Sequence, residues 1–292
     1  MITLAGVPLT SPVLAASGCA GAGPELEPYS DLSAFGAVVC RSITAEPRAG
    51  APLPRLVESV GGLVNALGLP GPGLETFLAD ELPRLRAAGA TVIVSVWADD
   101  LGDYARIAQR LRQTDGIVGV EVNLSHPSLG TADPAAVVHQ VRRNSAAGVP
   151  VFAKLGIEDV VARARSCAGA GADGVSLINA IPAVSIHSDP PGPGLGTMPG
   201  GLSGPAIRPI ALRAVWAVHA ALPELPIIGS GGIMTGTDAF EFLLAGASAV
   251  ALGTALLNDP RAGQRIAAEL EELLAGRTID DVRGQAHERT SS

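Results

Sequence analysis

The sequence from residue 226 to residue 255 reads PIIGSGGIMTGTDAFEFLLAGASAVALGTA. Two short apolar runs, at 226–229 and 249–253, are separated by a helical pattern from Asp238 to Ala245. Gly246 stands where that helix should end. Each apolar run leads directly into a glycine-rich turn. A short apolar strand, a helix and a second short strand form the repeating unit of a parallel sheet.

The same unit recurs along the whole chain. The predicted strands are 12–16, 36–41, 91–96, 119–123, 151–154, 174–179, 226–229 and 249–253. The predicted helices include 103–112, 134–146, 160–170, 205–221 and 238–245. Eight parallel strands close a barrel, and no Pro/Ser-rich linker divides the chain. We therefore expect an α/β fold, a single (β/α)8 TIM barrel in one domain over residues 1–292.

Some segments fall outside the repeating unit. Residues 2–9 predict an N-terminal β-hairpin at the bottom of the barrel, and the polar tail 284–292 is expected to fray. Long loops are expected after strand two (42–69) and strand six (180–204). Both follow the carboxyl ends of strands, where the active sites of barrels lie.

The composition excludes several classes of protein. The 292 residues carry a formal charge of −8, with 47% apolar and 16% charged residues, so the chain is not disordered. An acidic chain without a basic run is a poor nucleic-acid binder, and no apolar stretch is long enough to span a membrane. Without a basic N-terminal region there is no sign of a signal peptide, so we expect a cytoplasmic protein. Three cysteines make neither a disulfide framework nor a metal pair.

Lys154 is the only lysine in a chain with 20 basic residues. A genome of high GC content, which favours arginine codons, explains the 19 arginines, and on that view Lys154 is incidental. The opposing view is chemical, because arginine cannot replace lysine where a compact ammonium is required.

The glycine-rich turns after strands seven and eight predict a phosphate site. Gly231 and Gly232 follow one strand, and Gly253 and Thr254 follow the other. Free backbone N–H groups in such turns bind anions, although ordinary tight turns are the alternative. The G-x-G-x-x-G pattern at 169–174 lies between a helix and a strand, the reverse of a dinucleotide site, and is set aside.

Polar residues end most of the other predicted strands. They are Ser17, Arg41, Ser95, Asn123, Lys154 and Asn179, and Asn65 in the first long loop could join them. Amides with two cations suit a flat heterocycle that bears carbonyl and N–H groups. No cluster has metal-ligand spacing, so no metal is expected.

Several motifs resemble those of the class 1 dihydroorotate dehydrogenases, in order and over nearly the whole chain. They are Ala16-Ser17-Gly18, Asn65-Ala66-Leu67-Gly68-Leu69, Asn123-Leu124-Ser125, the run Gly200 to Pro205 and the two glycine-rich turns. The likeness is strongest to the subclass that pairs with an iron–sulfur flavoprotein subunit. The resemblance implies an FMN-binding barrel that oxidises dihydroorotate to orotate. It further implies a homodimer and an electron-transfer subunit or a small-molecule electron acceptor.

The resemblance also assigns roles to residues. It places Lys154 beside the flavin N1/C2 carbonyl, where an ammonium stabilises the anionic reduced flavin. The implied cofactor-binding residues are Ala16, Ser17, Gly18, Arg41, Ser42, Asn123, Lys154, Ile178, Gly204, Gly231, Gly232, Gly253 and Thr254. The implied substrate-binding residues are Asn65, Gly68, Leu69, Asn123, Asn179 and Ala180.

His126 is the most consequential departure from the family pattern, because the family has its catalytic cysteine there. It is interpreted as a replacement base, as an acid for the reverse reaction, or as a loop histidine without a catalytic role. Arg41, Ser95 and Ala180 also depart, standing where the family usually has Lys, Asn and a hydroxyl residue. The leading interpretation makes Lys154 and His126 catalytic.

Three alternatives stay open at this point. One is a diverged paralogue with a different, non-pyrimidine substrate. The second is a non-flavin, phosphate-binding barrel lyase or isomerase in which Lys154 forms a Schiff base. The third is a flavoprotein without catalytic activity that serves only in electron transfer.

Overall fold

The computed structural model describes residues 1–19, 24–125 and 133–288. The strands in these ranges are β1 (Ile2–Leu4), β2 (Val7–Leu9), β3 (Val13–Ala15), β4 (Val38–Val39), β5 (Leu56–Ser59), β6 (Gly62–Asn65), β7 (Val92–Val96), β8 (Ile117–Asn123), β9 (Val151–Leu155), β10 (Gly174–Leu177), β11 (Ile181–Ala183), β12 (Ile186–Ser188), β13 (Pro191–Pro193), β14 (Gly200–Ser203), β15 (Ile227–Ser230) and β16 (Ala249–Leu252).

The α-helices in the same ranges surround these strands. They are α1 (Leu74–Thr76), α2 (Leu82–Ala87), α3 (Leu101–Arg112), α4 (Pro134–Asn144), α5 (Val160–Gly169), α6 (Arg208–Ala221), α7 (Gly236–Leu244), α8 (Thr254–Asn258), α9 (Ala262–Leu274), α10 (Ile279–Val282) and α11 (Gln285–Glu288). A π-helical segment, Phe77–Glu81, joins α1 to α2. None of the helices in the described ranges combines the length and the apolar character that crossing a membrane requires.

Eight strands close into a barrel in the order β3-β4-β7-β8-β9-β10-β15-β16. Every neighbouring pair is parallel, and β16 pairs back to β3. A large apolar cluster fills the space between the strands and the surrounding helices. The predicted (β/α)8 barrel is therefore confirmed, and each barrel strand lies close to its predicted position.

The interior of the barrel changes from apolar to polar along the strands. Side chains alternate between the two faces of a strand. Phe152 and Lys154 of β9 thus point inward on successive levels, as do Ile93 and Ser95 of β7. Phe152 and Ile93 belong to an interior cluster with Leu14. This gives an apolar floor and a polar layer at the carboxyl ends, where barrel sites lie.

An N-terminal hairpin closes the floor. β1 and β2 pair in antiparallel fashion, as the sequence predicted. Leu4 and Leu9 are buried and belong to the interior cluster that contains Phe152. The hairpin therefore seals the amino-terminal end of the barrel and leaves the carboxyl end open to a ligand.

Leu9→Ala is expected to lower the free energy of unfolding by about 2–5 kcal/mol, because it leaves a cavity in a closed apolar floor. Leu9 is 2% exposed, whereas Leu53 is 79% exposed and provides the matched control. Urea denaturation measures both variants, and Leu53→Ala should stay within about 0.5 kcal/mol of wild type. A Leu9→Ala protein as stable as wild type would show that the hairpin does not seal the barrel.

The two long segments after β4 and β10 fold together rather than forming separate loops. They supply a four-stranded antiparallel sheet in the order β11-β14-β6-β5, while β12 and β13 form their own hairpin. Asn65 of β6 pairs with Gly201 of β14. The long connections were predicted, but the pairing between them was not.

The C-terminal segment corrects one expectation. Residues 284–288 were expected to fray, but α11 packs against α6. The ring of His287 stacks on Trp216 with centroids 3.6 Å apart. Residues 289–292 lie outside the described part of the chain.

The glycine pattern at 169–174 takes the place that the sequence predicted. Helix α5 ends at Gly169 and β10 begins at Gly174. A dinucleotide motif instead follows a strand and opens a helix. This segment is therefore a connection on the amino-terminal side of the barrel.

Candidate active site

Two glycine-rich turns form a backbone cradle at the carboxyl end of the barrel. Gly231 and Gly232 follow β15 with φ angles of +130° and +74°, which favour glycine. A Cβ on Gly232 would lie 2.8 Å from the carbonyl oxygen of Gly204, and one on Gly204 would lie 3.4 Å from Thr254 Cγ2. Among the described residues, the N–H groups of Gly231, Gly232 and Gly253 donate no hydrogen bond. The predicted glycines thus converge with unused donors, an arrangement that suits a phosphate.

Lys154 lies in the polar layer, on β9, and is 6% exposed. Its Nζ is 3.6 Å from Oε1 of Glu121, which is buried on the adjacent strand β8. A charge-assisted hydrogen bond is about 2.7–2.9 Å long, so this ion pair leaves the ammonium donors uncommitted. Nζ makes no hydrogen bond to any other described residue. A buried ammonium with unused donors stabilises negative charge on a bound molecule.

Hydrogen bonds bring the predicted amides together. Asn123 Nδ2 donates to Ser42 Oγ at 3.0 Å, and Asn179 Nδ2 donates to Ser125 Oγ at 2.6 Å. Ser125 Oγ in turn donates to Asn123 Oδ1 at 3.2 Å. The carboxyl ends of β4, β8 and β10 therefore share one polar network.

Ser95 was expected to face the ligand, and the structure places it deeper. It has no exposed surface. Its hydroxyl lies 3.1 Å from Ser42 Oγ and donates to Glu121 Oε1 at 3.1 Å. Ser95 therefore links buried groups beneath the site.

The predicted substrate-side residues of the long loops lie at or near the ends of strands of the antiparallel sheet. Asn65 Nδ2 donates to the carbonyl of Gly201 at 3.1 Å. Gly68 and Leu69 follow with φ angles of +70° and +54°. A Cβ on Gly201 would lie 2.7 Å from Ala180 Cβ, so Ala180 packs against β14.

The remaining predicted cofactor residues lie around the same end of the barrel. Ala16, Ser17 and Gly18 directly follow β3, and Gly18 has a φ of +83°. Ile178 follows β10, and its N–H donates to the carbonyl of Ser230 on β15. The backbone at the ends of β3, β10 and β15 thereby borders the polar layer.

Arg41 makes contacts that its predicted role did not include. Its guanidinium donates to the carbonyl of Pro70 at 3.3 Å and pairs with Glu25 at 3.0 Å. These contacts tie β4 to the segments around it. A cofactor contact of Arg41 stays a prediction.

Burial disfavours the thiolate form of all three cysteines. Burial raises the pKa of Cys40 to about 12 and that of Cys167 to about 11. Burial also raises the pKa of Cys19, and the nearby Lys154 offsets this only in part. His126 lies outside the described residues, so its catalytic role stays a prediction. No group of His, Cys, Asp and Glu within the described ranges could hold a metal ion.

Sequence reasoning missed Glu121 and Ser125. A usable signal was the alternation in Val120-Glu121-Val122-Asn123, in which the two valines pack outward. That alternation places Glu121 and Asn123 on the inner face of the strand. A charged residue that faces the inside of a barrel needs a partner, and Lys154 on the next strand supplies it.

The chain is similar to known proteins over nearly its whole length. The family model described as dihydroorotate dehydrogenase matches residues 1–274. A Desulforudis audaxviator protein is 48% identical over 98% of this chain and 97% of its own length. Proteins of Geobacter sp. (strain M21) and Geobacter sulfurreducens are each 44% identical, over 96% and 97% of this chain and 95% of their own lengths. All three are named dihydroorotate dehydrogenase B (NAD(+)), catalytic subunit.

The family match covers the glycine cradle, the buried lysine and the amide network, whose binding roles stay predictions. A non-flavin lyase or isomerase is excluded by the same matches. The chain belongs to the dihydroorotate dehydrogenase family, whose members are FMN-dependent oxidoreductases acting on CH–CH bonds.

Proposed function

We propose that this protein oxidises dihydroorotate to orotate and that the residues gathered at the carboxyl end of the barrel carry out this reaction. The observation that carries the proposal is the placement of Lys154. Its buried ammonium has uncommitted donors and stands in the same polar layer as Asn123. The Lys154 ammonium, which would stabilise a reduced flavin ring, and the Asn123 amide, which would bind a polar substrate, are thus held close together.

The residues present fit FMN. The cradle of Gly231, Gly232, Gly253 and Thr254 has unused N–H donors for a phosphate, and side chains there would fill the space. Lys154 would stabilise negative charge on the reduced ring. The backbone of 16–18 would border the ring. Bound FMN supplies a ring that accepts a hydride from the substrate.

The amides and His126 would handle the substrate. Asn65, Asn123 and Asn179 would hold its carbonyl, N–H and carboxylate groups. Oxidation of dihydroorotate removes a hydride and, from C5, a proton. Imidazole is the side chain most often used as a general base near neutral pH, so His126 would take that proton.

A paralogue with another substrate is the second candidate, favoured by the departures from the family pattern. One of them, Ser95, has no exposed surface and so does not itself line the substrate. Ala180 packs against β14 but is partly exposed. His126 and Ala180 are then the departures that would change the substrate.

Electron transfer beyond the site is proposed from the names of the relatives, which are catalytic subunits of an NAD(+) enzyme. We infer that a second, electron-transferring subunit or a small-molecule acceptor reoxidises the cofactor. A homodimer and a cytoplasmic location likewise stay predictions.

Gly232→Ala is expected to weaken FMN binding at least about tenfold, because its Cβ would lie 2.8 Å from the carbonyl oxygen of Gly204 in the cradle. Gly148→Ala is the matched control. Its φ is +79°, and its Cβ would meet nothing within 4 Å. Both variants bear the strain of a positive φ, about 1–2 kcal/mol. Only the Gly232 variant also crowds the cradle and Arg208, whose Cβ would lie 2.7 Å from the new Cβ. Quenching of FMN fluorescence by apoprotein measures the FMN affinity of both variants. Equal affinities would show that the cradle does not bind the FMN phosphate.

Steady-state turnover tests the proposed substrate. FMN-loaded protein is incubated with dihydroorotate and a redox dye, and orotate is measured by chromatography. The proposal expects orotate in proportion to dye reduced. Absence of orotate, with dye reduction by another cyclic compound, would favour the paralogue. A protein that binds FMN but turns over no cyclic substrate would favour the electron-transfer alternative.

A further inference from the structure

A single buried carboxylate ends a continuous series of hydrogen bonds that begins at the substrate amides. We propose that Glu121 is a positioning residue that sets the donor and acceptor pattern these amides present, acting through Ser95 and Ser42. This inference rests on the proposed function. The series runs Asn179, Ser125, Asn123, Ser42, Ser95 and Glu121.

The direction of donation is fixed at the Asn123 end. The backbone N–H of Ser125 faces Asn123 Oδ1 at 3.4 Å. An N–H group can only donate, so the Asn123 atom that faces it is the acceptor oxygen. Its Nδ2 therefore faces Ser42, and Ser42 Oγ accepts that hydrogen bond.

The opposite end imposes the same direction. An ionised carboxylate can only accept, so Ser95 donates to Glu121. The hydroxyl proton of Ser95 is then used, and the contact between Ser42 and Ser95 has Ser42 as its donor. At both ends the hydrogen bonds are donated toward Glu121, so all the hydrogen bonds of the series have the same direction.

This polarity determines what the ligand meets. Asn123 uses Oδ1 on Ser125 and keeps one N–H for the ligand, so it is only a donor there. Asn179 uses one N–H on Ser125, which leaves Oδ1 and its second N–H. The same Glu121 oxygen faces Lys154 at 3.6 Å, so one carboxylate lies next to both the end of the amide network and the ammonium.

The burial of Ser95 and Glu121 distinguishes a positioning role from direct contact with the ligand. Ser95 is 0% exposed and Glu121 is 2% exposed, so a bound ligand reaches neither of them. Any effect of Ser95→Ala on ligand affinity must therefore pass through the network. Ser248 offers a matched control, because its half-buried hydroxyl accepts a hydrogen bond from Ile227 at the start of β15, away from the network.

Side-chain amide NMR tests the series without any ligand. The chain has only five asparagines, Asn65, Asn123, Asn144, Asn179 and Asn258, so selective ¹⁵N-asparagine labelling gives five side-chain signals. In apoprotein, Ser95→Ala and Glu121→Gln should shift the Asn123 signal most and the Asn179 signal less. The Asn144 signal should stay in place, and Ser248→Ala should move neither network amide. Unmoved Asn123 and Asn179 signals in both variants would overturn the inference.

Orotate affinity then tests the consequence. By calorimetry with FMN-loaded protein, Ser95→Ala should raise the orotate Kd about tenfold, because a break in the network leaves buried groups unpaired. In an Asn179→Ala background the same change should cost much less. An unchanged orotate Kd in Ser95→Ala would overturn the inference that Glu121 controls ligand binding. Effects of Ser95→Ala and Asn179→Ala that simply add would overturn it as well. A wild-type protein that does not bind orotate would instead reject the proposed substrate, and the NMR result would still decide the inference.

Discussion

His126→Ala is expected to slow the oxidation of dihydroorotate by about 100- to 10,000-fold, the range of a lost general base. Burial disfavours the thiolate of all three cysteines, since it raises the pKa of Cys40 to about 12, that of Cys167 to about 11 and also that of Cys19. The measurement is the single-turnover rate of flavin bleaching on anaerobic mixing with dihydroorotate. The Kd for FMN should stay close to wild type, since a lost base affects the reaction rather than the cofactor.

Two further variants make this prediction specific. His187→Ala is the matched control, because His187 lies on the exposed hairpin strand β12. It should react at the wild-type rate. His126→Cys restores the residue that the family has at this position and should recover much of the lost rate. If His126→Ala reacts as fast as wild type, His126 is not the base.

Lys154→Arg is expected to slow flavin reduction by about 100- to 1,000-fold although the charge is kept, a loss comparable to removing one stabilising donor at a developing anion. Lys154 is 6% exposed and packed against Glu121. A planar guanidinium is larger than an ammonium and cannot occupy this position without displacing the ring or the carboxylate. Stopped-flow absorbance at saturating dihydroorotate measures the rate.

The matched control is the reverse exchange at an exposed site. Arg143→Lys, near the end of α4, also keeps the charge and should leave the rate unchanged. Full activity of Lys154→Arg would mean that the reaction does not require a lysine at this position and that Lys154 is incidental. A loss in Lys154→Arg alone would support its place beside the cofactor.

The barrel could be predicted because its determinants are local. Each strand is a short apolar run, and several of the neighbouring helices end near glycine or begin at proline, as at Gly246 and Pro134. Parallel topology then brings the strand ends to one side, so Gly231, Gly253 and Lys154 were expected at the same end of the barrel, where the structure has them.

Features that depend on contacts between residues far apart in the chain could not be predicted from the sequence. The hydrogen bond from Asn65 to Gly201 joins positions 136 residues apart, and no local pattern announces β6 and β14 as partners. Ser95 looked like a ligand contact because it ends a strand. Ser95 instead makes hydrogen bonds inside the barrel, with Ser42 and Glu121, which lie on two other segments of the chain.

Anaerobic mixing of the FMN-loaded wild-type protein with dihydroorotate tests the central claim most directly. The flavin absorbance and the orotate formed are followed together over one turnover. We expect the oxidised flavin band to bleach with one orotate formed per flavin. A protein that holds FMN but keeps its oxidised absorbance, with no orotate produced, would contradict dihydroorotate as the substrate.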